Sequence, residues 1–270
     1  MREISSVTEI QNIAYEVLVQ FHHFCEENHL RYILAGGTLL GAIRHHDFIP
    51  WDDDVDVQMP RPDYERFLEL TKDGMSSTTK VVSWKNMEQP YFSFAKVIDT
   101  RTILRENISI PNEIGIYIDV FPTDGLPDSQ EEIEAKFKRI IHYKKLLILR
   151  VLKIQKGKSG SALIKKALLV PFIRLLYSPK KLTEKINAIA TENSFDESKN
   201  VAFQVLGYNL KEVTIKEKFY DRIRVKYRDE ELYVPSNYDD YLSSLFGNYM
   251  ELPPESQREP HHNFVAFWKE

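Results

Sequence analysis

Between Gly36 and Val57 the chain carries a glycine pair, a short apolar run and five aspartates: Gly36-Gly37-Thr38-Leu39-Leu40-Gly41-Ala42-Ile43-Arg44-His45-His46-Asp47-Phe48-Ile49-Pro50-Trp51-Asp52-Asp53-Asp54-Val55-Asp56-Val57. No other stretch limits the fold as much. Strand alternation puts Asp52, Asp54 and Asp56 on one face and Asp53 on the other. Carboxylates crowded on one face repel unless a cation lies between them. A solvated acidic loop does not explain why Val55 and Val57 alternate with the acids. An EF-hand calcium loop needs a glycine at its sixth position and a closing Glu, and Asp52-Asp53-Asp54-Val55-Asp56 supplies neither. The stretch reads as a metal-dependent phosphoryl-transfer site.

The flanking residues predict its scaffold. Ile10, Ile13, Val17, Phe21 and Phe24 recur at helical spacing within 5–29, with Ser5 or Ser6 to cap the start. Arg31 to Ala35 is a β-prone run that ends at the glycine pair, and Thr38 to Arg44 suits a short helix with its N-cap near Gly37 or Thr38. A strand, a glycine turn and a helix N-terminus aim backbone N–H groups at an anion, so Gly36, Gly37 and Thr38 are candidate phosphate binders. Asp54 to Met59 alternates acid and aliphatic as a site-lining strand does. Tyr64 to Thr71 reads as a helix, and 81–84 and 91–98 read as strands. Ile114 to Phe121 is a further strand, closed by Pro122 and the turn signal Asp124-Gly125-Leu126-Pro127. Asp119 is the one acid inside that apolar strand, where a carboxylate is costly unless a cation or donor meets it.

The character changes after Pro127. Residues 129–156 and 160–177 look helical, and 136–185 holds fifteen Lys and Arg against the single acid Glu184, a local balance of +14. Dense apolar residues with interspersed cations suit a helix on an anionic membrane surface. A helical bundle with a solvated basic face is an equal reading, and no nucleic-acid motif accompanies the charge. Residues 196–234 return to β-like alternation, and Tyr238 to Phe246 is a short helix ended by Gly247-Asn248. The elements predict an α+β fold: a mixed sheet with flanking helices in 1–127, a basic helical region in 128–194, and a C-terminal region, 195–270, that packs back on the core.

Oxygen ligands without a Cys or His cluster favour Mg²⁺ or Mn²⁺ over zinc. Asp54 and Asp56 can grip one or two such ions, and Asp119 on a neighbouring strand completes the set and takes the proton from an attacking hydroxyl. Lys96, Arg101 and Arg44 are candidates to neutralise phosphate. Trp51, Trp84, Phe92, Tyr117 and Phe121 offer aromatic faces for a quaternary ammonium. His45, His46, His261 and His262 form no metal-spaced set with the acids. Cys25 is the only cysteine, so no internal disulfide forms. Met-Arg-Glu-Ile opens without an apolar h-region and no long uncharged apolar run follows, so neither a signal peptide nor a membrane span is expected. The expected place is the cytoplasm, peripheral at the inner face of the membrane.

Residues 36–45, 49–57, 60–64 (Pro-Arg-Pro-Asp-Tyr), 118–125 (Ile-Asp-Val-Phe-Pro-Thr-Asp-Gly) and 241–254 resemble the LicD family. The resemblance runs from about Val7 to His262, departing at His46-Asp47, where members commonly have a basic residue and then glycine. It implies a nucleotidyltransferase-like mixed-sheet core, with the superfamily's Gly-Gly, Asp-x-Asp and later acid matched by Gly36-Gly37, Asp54/Asp56 and Asp119. It also implies transfer of phosphocholine from CDP-choline to a sugar hydroxyl of a teichoic acid, lipoteichoic acid or lipopolysaccharide, with a lipid-linked precursor as acceptor. Relatives of the fukutin type imply ribitol phosphate from CDP-ribitol as an alternative; glycerol phosphate from its CDP form, and nucleotidyl transfer with release of pyrophosphate, are further ones.

Overall fold

The computed structural model describes residues 1–106, 108–110, 114–153, 170–206, 210–217, 221–258 and 264–269. In chain order its first half runs β1 (Arg2–Ile4), α1 (Val7–Glu27), β2 (Ile33–Leu34), α2 (Gly36–His45), β3 (Asp56–Pro60), α3 (Arg61–Leu70), β4 (Thr79–Ser83), β5 (Ala95–Asp99), β6 (Thr102–Glu106) and β7 (Tyr117–Gly125). Then come α4 (Gln130–Val151), α5 (Pro179–Ala190), β8 (Asn200–Phe203), β9 (Thr214–Ile215), β10 (Arg222–Tyr227), β11 (Glu230–Pro235), α6 (Tyr238–Phe246) and β12 (Phe264–Trp268).

The acids lie on a mixed sheet of order β2-β3-β7-β5-β4, which β8 and β9 extend from the far half of β7. Only β3 and β7 run parallel among its described pairs. The architecture is α+β, as the sequence predicts. All nine residues of β7 are buried, because it is paired on both sides and α1 and α3 pack over it. The α1 stripe of Ile10, Ile13, Ala14, Val17, Leu18 and Phe21 supplies the covering layer, with Ser6 at the N-cap. A second sheet, β1-β12-β6, brings β12 between the chain's opening strand and β6, a strand that the sequence reading missed.

Several element bounds differ from expectation. Tyr91 to Phe94 is loop, and β5 begins at Ala95. The turn expected at Asp124-Gly125 is the end of β7, and Pro122 lies inside that strand. Asp119 N–H donates to Val55 O at 2.8 Å, so Phe121 faces β3 as well, and Pro122 turns its nitrogen to the opposite side. On that side β5 pairs as far as Val120 and β8 starts at Thr123. Pro122 therefore sits where no ladder bond is required of it.

The basic region packs on this sheet through α4 and α5. Lys136, the first of its cations, is buried and donates from Nζ to Gly125 O (3.0 Å), Ala190 O (3.1 Å) and Asn193 Oδ1 (2.8 Å), tying both helices to the end of β7. Of the helix expected over 160–177, residues 160–169 lie outside the described residues, and 170–176 is helical. Val170 and Ile173 are buried there, while Phe172, Leu175 and Leu176 are 65%, 83% and 71% exposed. His261 and His262 also lie outside the described residues.

Candidate active site

Register brings three of the predicted residues into one row. Asp56 on β3 is the Cα partner of Asp119 on β7, and Asp119 is in turn the partner of Lys96 on β5. Residues directly opposite in paired strands share a face, so two carboxylates and an ammonium stand side by side. Lys96 Nζ donates to Asp119 Oδ1 at 2.6 Å.

The preceding acids reach the same place by a different route from the one expected. Residues 52–55 are loop rather than strand, so no alternation sends Asp53 to the opposite face. Carboxylate oxygens of Asp52, Asp53 and Asp54 lie within 4.8 Å of one another. A buried side chain that the sequence reading overlooked holds the loop: Gln11 on α1 donates from Nε2 to Asp52 O (2.8 Å) and Ile49 O (3.3 Å).

The glycine pair packs directly against these acids. Ala35, not Gly37 or Thr38, is the N-cap of α2, and its N–H donates to Asp56 O at 3.0 Å. Gly36 has φ +51°, and a Cβ on it would stand 3.1 Å from Asp56 Oδ2. A Cβ on Gly37 would stand 2.6 Å from Asp52 Oδ2, a distance real Cβ atoms do not take. Thr38 Oγ1 accepts the Asp56 N–H at 2.8 Å and fixes the entry to β3. The amides of the first turn of α2 have no intrahelical acceptors and open beside the carboxylates.

Crowding shows in the protonation of the cluster. Burial and the charges of Asp54, Asp119 and Asp52 push the Asp56 carboxyl well above the usual carboxylate range. Burial and the neighbouring Asp54 push Asp52 up to about 8. A hard divalent cation removes that repulsion, and the donor set is all oxygen, so Asp54, Asp56 and Asp119 fit Mg²⁺ or Mn²⁺.

Other candidates do not stand where expected. Lys96 is buried beneath the acids, with Nζ 3.3 Å from the Tyr117 ring centroid and 5.2 and 5.3 Å from those of Phe92 and Phe94. It neutralises Asp119 rather than presenting an open ammonium to phosphate, and it occupies the aromatic faces of Phe92 and Tyr117. The Trp84 ring lies beside Lys85 Nζ at 5.5 Å. Arg101 pairs with Asp99 and Glu16 and lines neither of the cavities that reach the acids. Arg44 donates to Tyr249 O at 2.7 Å and to His45 Nε2 at 2.9 Å, so its first job is to hold the C-terminal segment. The departure at Asp47 has a local reason: Asp47 Oδ1 pairs with Arg228 Nε at 2.5 Å, and the residue before it, His46, takes the left-handed C-cap with φ +56°.

Two cavities meet at Asp54 and Asp56. One, of about 410 Å³, runs from Gly36 and Asp119 past Phe121 and Phe203 to Glu212, Tyr241 and Phe246. The other, of about 730 Å³, runs from Gly37 past Arg44 and Trp51 to Tyr249 and the Pro253-Pro254 segment. Phe246 borders both. Glu212, Phe203 and Phe246 were missed: nothing in their local sequence marks them, and only the fold carries them to the acids.

Residues 29–144, which include the acids, the glycine pair and Lys96, match the family model described as LicD/FKTN/FKRP, nucleotidyltransferase domain. This is a transferase domain. Over 265 residues the chain is 28% identical to the lipopolysaccharide cholinephosphotransferase LicD of Haemophilus influenzae, covering 97% of this chain and 98% of that protein. A shorter match, 68% identical over 28 residues, is to the ribitol 5-phosphate transferase FKRP of Homo sapiens, covering 10% of this chain and 6% of that protein. The chain is thus similar to LicD-type phosphotransferases, over the matched domain and along nearly its whole length.

Proposed function

We propose that this chain transfers phosphocholine from CDP-choline to a sugar hydroxyl of a cell-surface glycan (a teichoic acid, lipoteichoic acid or lipopolysaccharide) and releases CMP. The observation that carries the reading is the convergence of Asp54, Asp56 and Asp119 with the α2 N-terminus where two cavities join. One cavity can take the donor's leaving half and the other its alcohol, with the diphosphate between them at the acids. Asp54, Asp56 and Asp119 would hold Mg²⁺ or Mn²⁺, which neutralises diphosphate charge and stabilises entering and leaving oxygens. The first-turn amides of α2 orient a phosphate oxygen. Asp119, paired with Lys96, receives the proton of the acceptor hydroxyl as that oxygen bonds to the phosphorus bearing choline. The bond from that phosphorus to the CMP oxygen breaks. The name of the full-length relative favours choline over ribitol or glycerol phosphate.

Purified chain given CDP-choline, a glycan acceptor and Mg²⁺ is expected to release CMP, and EDTA is expected to stop it. CTP with phosphocholine is expected to yield no pyrophosphate. Pyrophosphate without CMP would replace this reading with nucleotidyl transfer.

The acceptor is proposed to be lipid-linked and met at the inner face of the membrane. The observation that favours this is the exposed apolar surface of Phe172, Leu175, Leu176 and Ile148, set among Arg150 and Arg174. Among the described residues no helix is long and apolar enough to cross a membrane, so contact here would be peripheral. Burying a leucine side chain is worth roughly 1.5–3 kcal/mol. Leu175→Glu with Leu176→Glu should therefore cut flotation with anionic vesicles more than about tenfold. Unchanged flotation would remove the membrane from the proposal.

A further inference from the structure

The smaller cavity has a chemistry of its own beyond the acids. Phe121 and Phe203 form one wall, their ring centroids 4.2 Å apart, and Tyr241 and Phe246 line the same space. At its end from the acids sits Glu212, half-buried, whose carboxylate accepts the Tyr241 O–H at 3.0 Å. Among the described residues no Lys or Arg is within ion-pair distance of that carboxylate, and burial pushes its carboxyl up. Lys211, next in the chain, also lines the cavity but is exposed to solvent. A second, much smaller space continues behind Glu212 and Tyr241 toward Gln58 and Asn237.

An acid among aromatic faces is the surrounding that a quaternary ammonium requires. Such a cation donates no hydrogen bonds, so it is held by ring faces and by opposite charge. A neutral polyol brings no charge to the carboxylate and leaves it uncompensated. The larger cavity is less suited to a cation. Arg44 lines it, and the Arg258 guanidinium already lies 5.5 Å from the Trp51 ring centroid.

We infer that Phe121, Phe203, Tyr241, Phe246 and Glu212 form the subsite for the alcohol head of the donor, and that Glu212 selects a permanently cationic head over a neutral polyol. The inference rests on the CDP-alcohol reading above and deepens it. Selection is charge-based: Glu212 keeps its negative charge beside the trimethylammonium group while the diphosphate is held at the acids. The buried rings of Phe121 and Phe203 keep water from one side of the head, so the attraction is less screened than in solvent.

Calorimetric titration of the full chain in Mg²⁺ with CDP-choline, CDP-glycerol and CMP tests this. Wild type is expected to bind CDP-choline more tightly than CDP-glycerol. Glu212→Gln, which can still accept the Tyr241 hydroxyl, should weaken CDP-choline by about tenfold, the size of one desolvated cation contact. CDP-glycerol and CMP should bind it as they bind wild type. Phe203→Leu should weaken CDP-choline in the same selective way. Tetramethylammonium chloride, against NaCl at matched ionic strength, should compete with CDP-choline on wild type and not on Glu212→Gln. A wild type that prefers CDP-choline, with a Glu212→Gln variant of unchanged preference, overturns the subsite and leaves the donor reading standing. A wild type that binds no CDP-alcohol, and is indifferent to tetramethylammonium, overturns both.

Discussion

Asp56→Asn is expected to slow CMP release from CDP-choline by at least about a thousandfold, a loss of roughly 4 kcal/mol of transition-state stabilisation. The substitution keeps shape and backbone contacts, since the Asp56 N–H bond to Thr38 Oγ1 does not involve the carboxylate. What it removes is one charge from a set built to face a cation. In EDTA the same change should leave the thermal midpoint unchanged or higher, because the Asp56 carboxyl is buried and pressed by the charges of Asp54, Asp119 and Asp52, which Lys96 offsets in part. Wild type should gain stability from Mg²⁺ by linkage, about 2.7 kcal/mol at a hundred times the dissociation constant. The variant should gain much less. Calorimetry with and without Mg²⁺, beside a CMP-release assay, reads both effects. A variant that Mg²⁺ stabilises as fully as wild type, or that turns over near the wild-type rate, would show that Asp56 is not a ligand. Lost activity with a collapsed midpoint in EDTA would instead make it a structural acid.

Much of this site was legible because its logic is local. Gly36-Gly37, the acids of 52–56 and Asp119 stand out as residue types that a buried strand or a turn does not otherwise need. What failed was whatever depends on register or on distant chain. Alternation separated Asp53 from its neighbours because it ran strand geometry from Asp52 onward, whereas the loop continues through Val55 and carboxylates of Asp52, Asp53 and Asp54 lie together. Lys96 reads from sequence as a strand cation near phosphate. Only the antiparallel pairing of β5 with β7 reveals that it lies opposite Asp119 and is sealed under Tyr117. Asp124-Gly125 carries the composition of a turn, and tertiary pairing with β8 overrides it. Gln11 sits on an ordinary helical stripe, and its partners are 38 and 41 residues away. Glu212 and Phe203 come from the C-terminal third, so no window around the acids could contain them.

Arg61→Leu is expected to cost about 3–5 kcal/mol of folding stability, the penalty for stranding one partner of a buried ion pair. For a chain of this size that is a fall of roughly 6–20 °C in thermal midpoint. Arg61 opens α3 directly after β3 and donates from Nε and Nη2 to the two oxygens of Asp124, at 2.6 and 2.8 Å. Asp124 is 1% exposed, so no water can replace the guanidinium. The guanidinium carbon also lies 5.2 Å from the Tyr64 ring centroid, a contact that leucine cannot restore in kind. Position explains why this pair matters to the site. Arg61 follows Asp56 by five residues and Asp124 follows Asp119 by five, so the pair clamps the same parallel strands whose other ends hold the acids. Arg61→Lys keeps the charge but loses the bidentate fork, and should fall between wild type and Arg61→Leu. Arg61→Leu combined with Asp124→Leu removes both charges and should recover much of the loss. If the double variant folds, it should also recover CMP release, because neither residue lines a cavity at the acids. Denaturant titration of the four proteins separates these cases. A loss below about 1 kcal/mol for Arg61→Leu would place the pair with ordinary surface ion pairs and dissolve its role as a clamp.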